Sequence, residues 1–284
     1  MSATQAAAPE FIGDDWLFND GWSFRDAPPA DLAGPLSPLA WDRFVFIFTQ
    51  AKRGAFEHVE VLSRLLVEEQ SHPLFLATMY LSAAIGGSAE QAALQRLIGT
   101  DWFTQAADAI VLTGDLAVVD TLLARRRAPR TEVRETMESA LSRLLEVEPD
   151  RFYDTGLDDD AYDALVRAEV AQLIARHGSD MRITLGAPLR ARTLLAKLTQ
   201  LAKLDRDDLD EASSVIGNVA FHLETFTGLP SKGVVIFDQD GNDIVDRSRL
   251  NRFVEAVETW DAKHRPRSGR RMFFGHAVPD VVAP

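Results

Sequence analysis

Between residues 38 and 174, apolar positions recur every three or four residues in short runs, and Gly or Pro closes most of them. That period belongs to helices that bury one face. The first run, Phe44, Val45, Ile47 and Phe48, surrounds much of a helix's circumference and predicts an element enclosed by neighbours. Ser37 is its candidate cap, and Pro38 suits the first helical position, where a missing N–H costs nothing. Val59, Leu62, Leu65 and Leu66 predict a second helix. Leu74, Ala77, Leu81 and Ala84 predict a third, opened by Ser71 and Pro73 and ended by Gly86 and Gly87. Ser88 with Gln91 has the spacing of a capping box for a fourth, carrying Leu94, Leu97 and Ile98.

A fifth helix is expected from about Asp101, presenting Trp102, Phe103, Ala106 and Ile110. Gly114 stops it, and Asp115 caps the helix of Val119, Leu122 and Leu123. Thr131 opens a helix bearing Met137, Leu141, Leu144 and Leu145, which Pro149 terminates. Asp158, Asp159 and Asp160 stand at the next helix start, where negative charge complements the helix dipole. Tyr162, Leu165, Val166, Val170, Leu173 and Ile174 are its apolar face, and Gly178 closes it. After a break over residues 178–188 come two more helices, one around Leu194, Leu198 and Leu201, the other around Leu209, Ile216, Val219, Leu223 and Phe226.

Two stretches compare directly. Ala84-Ile85-Gly86-Gly87 leads to Leu94 and Leu97, and Val111-Leu112-Thr113-Gly114 leads to Val119 and Leu122. Each reads as a helix end, a Gly turn and another apolar helix. In this pattern the chain resembles HEAT-like α-helical repeat proteins, which implies a mainly α fold, antiparallel helix pairs in a solenoid or irregular bundle, with a binding surface. The resemblance implies no chemistry.

After Gly228 and Pro230 the period changes. Gly233-Val234-Val235-Ile236-Phe237 is a β-branched run followed by the turn signal Asp238-Gln239-Asp240-Gly241-Asn242, which predicts a β-hairpin. A helix with Leu250, Phe253, Val254, Val257 and Trp260 follows, and Arg271-Met272-Phe273-Phe274 is expected as a strand beside the hairpin. The expected organisation is an irregular aromatic and Pro-rich arm over residues 1–36, a helical-repeat region over 37–178, a further helical pair over 179–230 and a small α+β cap over 231–284. In the arm, Trp16 and Trp22 with Phe18 and Phe24 are expected to pack on the body or meet a partner.

Thirty basic against 43 acidic residues give a formal charge of −13, which repels nucleic acid and anionic membranes and attracts basic partners. There is no cysteine, so disulfides, thiolate nucleophiles and Cys-containing zinc sites are absent. No apolar run approaches the roughly 20 residues that span a bilayer, and the first residues lack a signal-peptide pattern. A cytoplasmic protein without membrane partner is expected.

The segment Val234-Val235-Ile236-Phe237-Asp238-Gln239-Asp240-Gly241 resembles the first motif of haloacid dehalogenase-type phosphatases. That resemblance would make Asp238 the nucleophile and Asp240 the acid or base. Only 46 residues follow Asp238, too few for the family's downstream parallel sheet, and Asn242 stands at the usual Thr. Read as an EF-hand loop, the segment has Asp243 where Gly is required and Arg249 where a bidentate Glu is required. The six histidines form no HExxH arrangement, and no P-loop, GxGxxG or GxSxG occurs, so no cofactor is expected.

Charge clusters remain. Asp205, Asp207, Asp208, Asp210 and Glu211 crowd one helix entrance, and Asp158, Asp159 and Asp160 another. Both have a capping role available, and both could form an acidic face for a basic protein. Arg125, Arg126 and Arg127, and the C-terminal His264, Arg265, Arg267, Arg270 and Arg271, are basic counterparts; salt bridges to the acidic clusters account for them more simply than nucleic acid does. The function expected is non-catalytic protein binding, concretely a bacterial immunity protein that masks a basic toxin domain. The alternatives are a hydrolase centred on Asp238 and Asp240, and a nucleic-acid or phosphate binder using the Arg-rich C-terminal stretch.

Overall fold

The computed structural model describes residues 34–68, 72–145, 151–153, 155–237, 243–265 and 269–279. The first half runs α1 (Ala40–Lys52), α2 (Val61–Leu65), α3 (His72–Ile85), α4 (Ser88–Leu97) and α5 (Phe103–Val111). It continues through a 3₁₀ turn (Leu116–Val118), α6 (Val119–Arg126), α7 (Thr131–Leu145) and α8 (Asp159–His177). In one row α1 packs on α3, α3 on α5 and α5 on α7, while α2, α4 and α6 pack alongside them. The apolar runs of the sequence face this stack: Phe44, Ile47, Leu62, Leu81, Ile110 and Leu141 are all buried in one cluster. The fold is mainly α, as the periodicity predicts.

Local chemistry sets the helix starts. Asp158 caps α8 by accepting the Ala161 N–H at 2.8 Å, and Asp115, expected to cap α6, accepts the Ala117 N–H at 3.0 Å and so caps the 3₁₀ turn that leads into it. Two further starts differ from expectation. At α4 the box is shifted by one residue: Ser88 is already helical, and the Glu90 carboxylate accepts the Gly87 N–H at 2.9 Å, while Gln91 is buried. At α1 the helix begins at Ala40, and Ser37 acts from outside it, accepting the Leu39 N–H and donating to Asp42. Ile174, expected on the apolar face of α8, is exposed.

The second half runs β1 (Ile183–Thr184), β2 (Ala187–Pro188), α9 (Ala191–Leu201), α10 (Arg206–Glu211) and α11 (Ser213–Thr227). After it come β3 (Val235–Phe237), β4 (Asp243–Val245), α12 (Arg247–His264), β5 (Met272–Phe273) and β6 (His276–Ala277). The break over 178–188 is therefore a small hairpin within the helical region, and the helix expected around Leu209 to Phe226 is two helices that meet at Ala212. α9 packs on both α11 and α12, around a second buried cluster that includes Leu198, Leu223, Leu250 and Val257.

Among the described residues, two of the three hairpins repeat one design. β1 and β2 are joined by Leu185 and Gly186, and β5 and β6 by Phe274 and Gly275; all four turn residues have positive φ. The turn amides cap a helix end. Leu185 and Gly186 donate to the Arg143 and Leu144 carbonyls of α7, each at 3.1 Å, and Phe274 and Gly275 donate to the Thr225 and Phe226 carbonyls of α11 at 2.9 and 3.0 Å. α7 and α11 have 15 residues each, and the helices that follow them, α8 and α12, have 19 and 18. Asp158 and Asp246 cap those two helices in the same way. The chain thus contains a repeated unit of helix, helix and capping hairpin.

β5 does not join the β3–β4 hairpin, as the sequence led one to expect. It pairs with β6 and returns to the first half, because Phe273 and Val278 are apolar and find a place in the first cluster. Arg271 goes with them: it is buried and donates to the Ala83 carbonyl at 3.0 Å and the Gly86 carbonyl at 2.8 Å, which closes the C-terminal end of α3.

Candidate functional site

The two acidic clusters differ in their surroundings. In the first, Asp159 accepts from Arg126 at 2.8 Å and lies 3.1 Å from Arg134, and Asp160 accepts from Arg127 at 2.8 Å. Arg127 also reaches the buried Asp163 at 2.8 Å. Asp158 is the cap of α8. These carboxylates therefore sit against three arginines of the same chain, and Arg126 and Arg127 of the basic run are already occupied by them.

In the second cluster, Asp205 caps α10 by accepting the Asp208 N–H at 3.1 Å. Asp210 accepts the Val245 N–H at 2.9 Å and so ties β4 to α10. Asp207, Asp208 and Glu211 are exposed, and their side chains have no ion-pair partner among the described residues. Beside them at the start of α11, Val215 is 45% exposed.

The remaining sequence candidates fall elsewhere. Trp16, Trp22, Asp238, Asp240 and Arg267 lie outside the described residues. β3 and β4, which flank residues 238–242 in sequence, pair antiparallel with Phe237 opposite Asp243. Of the C-terminal basic stretch, Arg271 is buried in its cap of α3, while Arg265 and Arg270 are exposed. Among the described residues no three His, Asp or Glu side chains converge as a metal site, and no helix is long and apolar enough to cross a membrane.

One cleft escaped the sequence reading. Its cavity is about 440 Å³, within the range of small-molecule sites, and it lies where the two halves meet. One wall comes from α3, α5, α7 and the β1–β2 turn, with Tyr80, Asp108, Ser139, Arg143 and Leu185; the other comes from α9 and α11, with Lys197, Ser214, Asn218, Val219 and His222. Helical spacing assembles it: Ser214, Asn218 and His222 are four residues apart, as are Ser139 and Arg143.

The charges in the cleft are ordered by burial. Arg143 is ion-paired with Asp108, and its Nε approaches the Ser139 carbonyl at 3.4 Å. Tyr80 is buried edge-on against Phe221 at 5.7 Å, and burial, reinforced by Asp108 and opposed by Arg143, pushes its phenol above the ordinary value. Its hydroxyl is thus kept protonated. Burial, with the Arg143 charge adding to it, pushes the His222 imidazole down to about 3, so the ring is neutral at pH 7. Its nitrogens make no hydrogen bond among the described residues. Lys197 has no carboxylate partner among them either.

No protein-family profile, curated protein or solved structure matches this chain.

Proposed function

We propose that this chain is a non-catalytic protein-binding module on a HEAT-like helical scaffold, and that it acts as a toxin-neutralising immunity protein by engaging a basic domain of its partner. The observation that carries this reading is the contrast between the two acidic clusters. The carboxylates of Asp159 and Asp160 are matched by arginines within the chain, whereas Asp207, Asp208 and Glu211 at α10 have no ion-pair partner among the described residues and lie beside the exposed Val215 in sequence. Unmatched charge of one sign on a chain of net charge −13 attracts a partner of the opposite sign and speeds its encounter. An apolar side chain at its edge supplies contact that charge alone does not.

The scaffold supports the same reading. Stacked helices with short connections give an extended surface held rigid by a continuous core, the arrangement helical-repeat proteins use to bind other proteins. The test is co-expression with the product of the neighbouring gene. A toxic product whose lethality is relieved by this chain, and less so by the Asp207→Lys/Asp208→Lys/Glu211→Lys variant, is the expected result. Equal protection by the variant removes α10 from the interface, and absence of protection removes the immunity reading.

A further inference from the structure

We propose that the cleft between α7 and α11 is a binding site for a small organic carboxylate with an apolar, ring-sized body. This goes beyond the protein-binding reading and does not rest on it, since none of the α10 carboxylates lines the cleft, although Val215 borders both.

The chemical class follows from what the walls offer. The ionised groups of the cleft are Asp108, Arg143 and Lys197, which leaves one cation in excess within a chain that is strongly acidic elsewhere. Arg143 and Asp108 neutralise each other by direct ion pairing, so the charge left without a partner among the described residues is the ammonium of Lys197. A carboxylate is its natural complement. A cationic ligand would meet that ammonium with Asp108 already occupied.

The neutral groups fit the same ligand. The His222 ring is neutral with its nitrogens unbonded among the described residues, so it can donate one hydrogen bond to an anion without carrying charge. The rest of the lining mixes the polar Ser139, Ser142, Thr184, Ser214 and Asn218 with apolar side chains. Val111, Leu112, Leu185, Val219 and Phe221 surround the polar groups and would bury the body of the ligand. Because one wall belongs to each half of the chain, an occupant bridges the two buried clusters, and binding must raise the melting temperature.

The probe is 2-naphthoate, titrated calorimetrically against the full chain at pH 7.4 beside the neutral 2-naphthalenemethanol and the cationic 2-naphthylmethylamine. The naphthoate should bind one to one and raise the melting temperature, with the alcohol at least tenfold weaker and the amine weaker still. Lys197→Met should bring naphthoate down to the affinity of the alcohol and leave the alcohol unchanged; Lys197→Arg should retain the preference for the acid. Lys203→Met, an exposed lysine outside the cleft, should change nothing. Equal affinity for acid and alcohol, an equal loss in Lys203→Met, or full naphthoate affinity in a folded Lys197→Met variant would each overturn the proposal.

Discussion

The guanidinium of Arg126 lies 3.7 Å from the centroid of the Tyr162 ring, and both side chains are fully buried. The same group donates its Nε to Glu138 at 2.7 Å and a terminal nitrogen to Asp159 at 2.8 Å. One arginine from α6 thereby joins α7 and α8. A stacked, forked contact of this kind is a property of arginine and not of lysine.

Replacing it leaves Glu138 buried without its cation. Arg126→Met should therefore destabilise the fold by about 3–5 kcal/mol, measured by urea unfolding at pH 7. Arg126→Met/Glu138→Leu, which removes both charges, should recover much of the loss. A double variant no better than the single one would show that the stacking on Tyr162, not the ion pair, dominates.

Arg271 ties the C-terminal hairpin to the end of α3 across 185 to 188 residues of sequence. Its donors meet carbonyls that have no helical partner, and hydrogen bonds to charged groups contribute roughly 1.5–3 kcal/mol each. Arg271→Met should cost about 2–4 kcal/mol, and Arg271→Lys, which keeps the charge but loses the fork, should recover only part. Amide exchange should accelerate first at the C-terminal turn of α3 and in β5. Uniform acceleration would argue against a local cap.

His222 predicts a pH dependence. Its folded value, about 3, lies below the roughly 6.5 of an unfolded histidine, so the unfolded chain binds more protons between these values. Stability from this group is complete above about pH 6.5 and is lost as pH falls toward 3. His222→Gln should make the decline in stability between pH 6.5 and 4 shallower than in the parent. Parallel curves would mean that the imidazole is solvated in the folded state.

Gly114 has φ of +64°, and a Cβ there would lie 2.8 Å from the Ile183 carbonyl, while the Gly114 carbonyl accepts the Ile183 N–H at 2.7 Å. Gly114→Ala should cost about 1–3 kcal/mol in thermal or urea unfolding, because neither backbone can yield without breaking that bond. A loss below about 0.5 kcal/mol would show that the β1 strand shifts freely.

The helices were legible because core and period coincide: Phe44, Leu62, Ile110 and Leu141 are buried as their spacing predicts. The caps at Asp115 and Asp158 were legible for the same local reason. The β1–β2 and β5–β6 hairpins were not, since their positive-φ turns carry Leu185 and Phe274 where Asn or Gly is the usual signal. The turns are placed by their amides serving the ends of α7 and α11, a long-range contact invisible in a local pattern. The cleft was hidden likewise. Asp108, Arg143 and His222 come from three helices, and the trace in the sequence is the four-residue spacing of Ser214, Asn218 and His222 and of Ser139 and Arg143. The acidic clusters looked alike in sequence, and only the arginines across α6 and α7 distinguish them.

The most direct test of the central claim is the association rate between this chain and the product of the neighbouring gene, the partner that the proposed function implies, measured by stopped flow for the parent and for Asp207→Lys/Asp208→Lys/Glu211→Lys at low and high salt. Electrostatic steering raises on-rates by about 10 to 1,000 fold and weakens as salt screens it. Binding through α10 predicts an on-rate at least about tenfold lower for the variant at low salt, converging with the parent at high salt, with melting nearly unchanged. An on-rate equal to the parent's in the folded variant, at low and high salt alike, would contradict it.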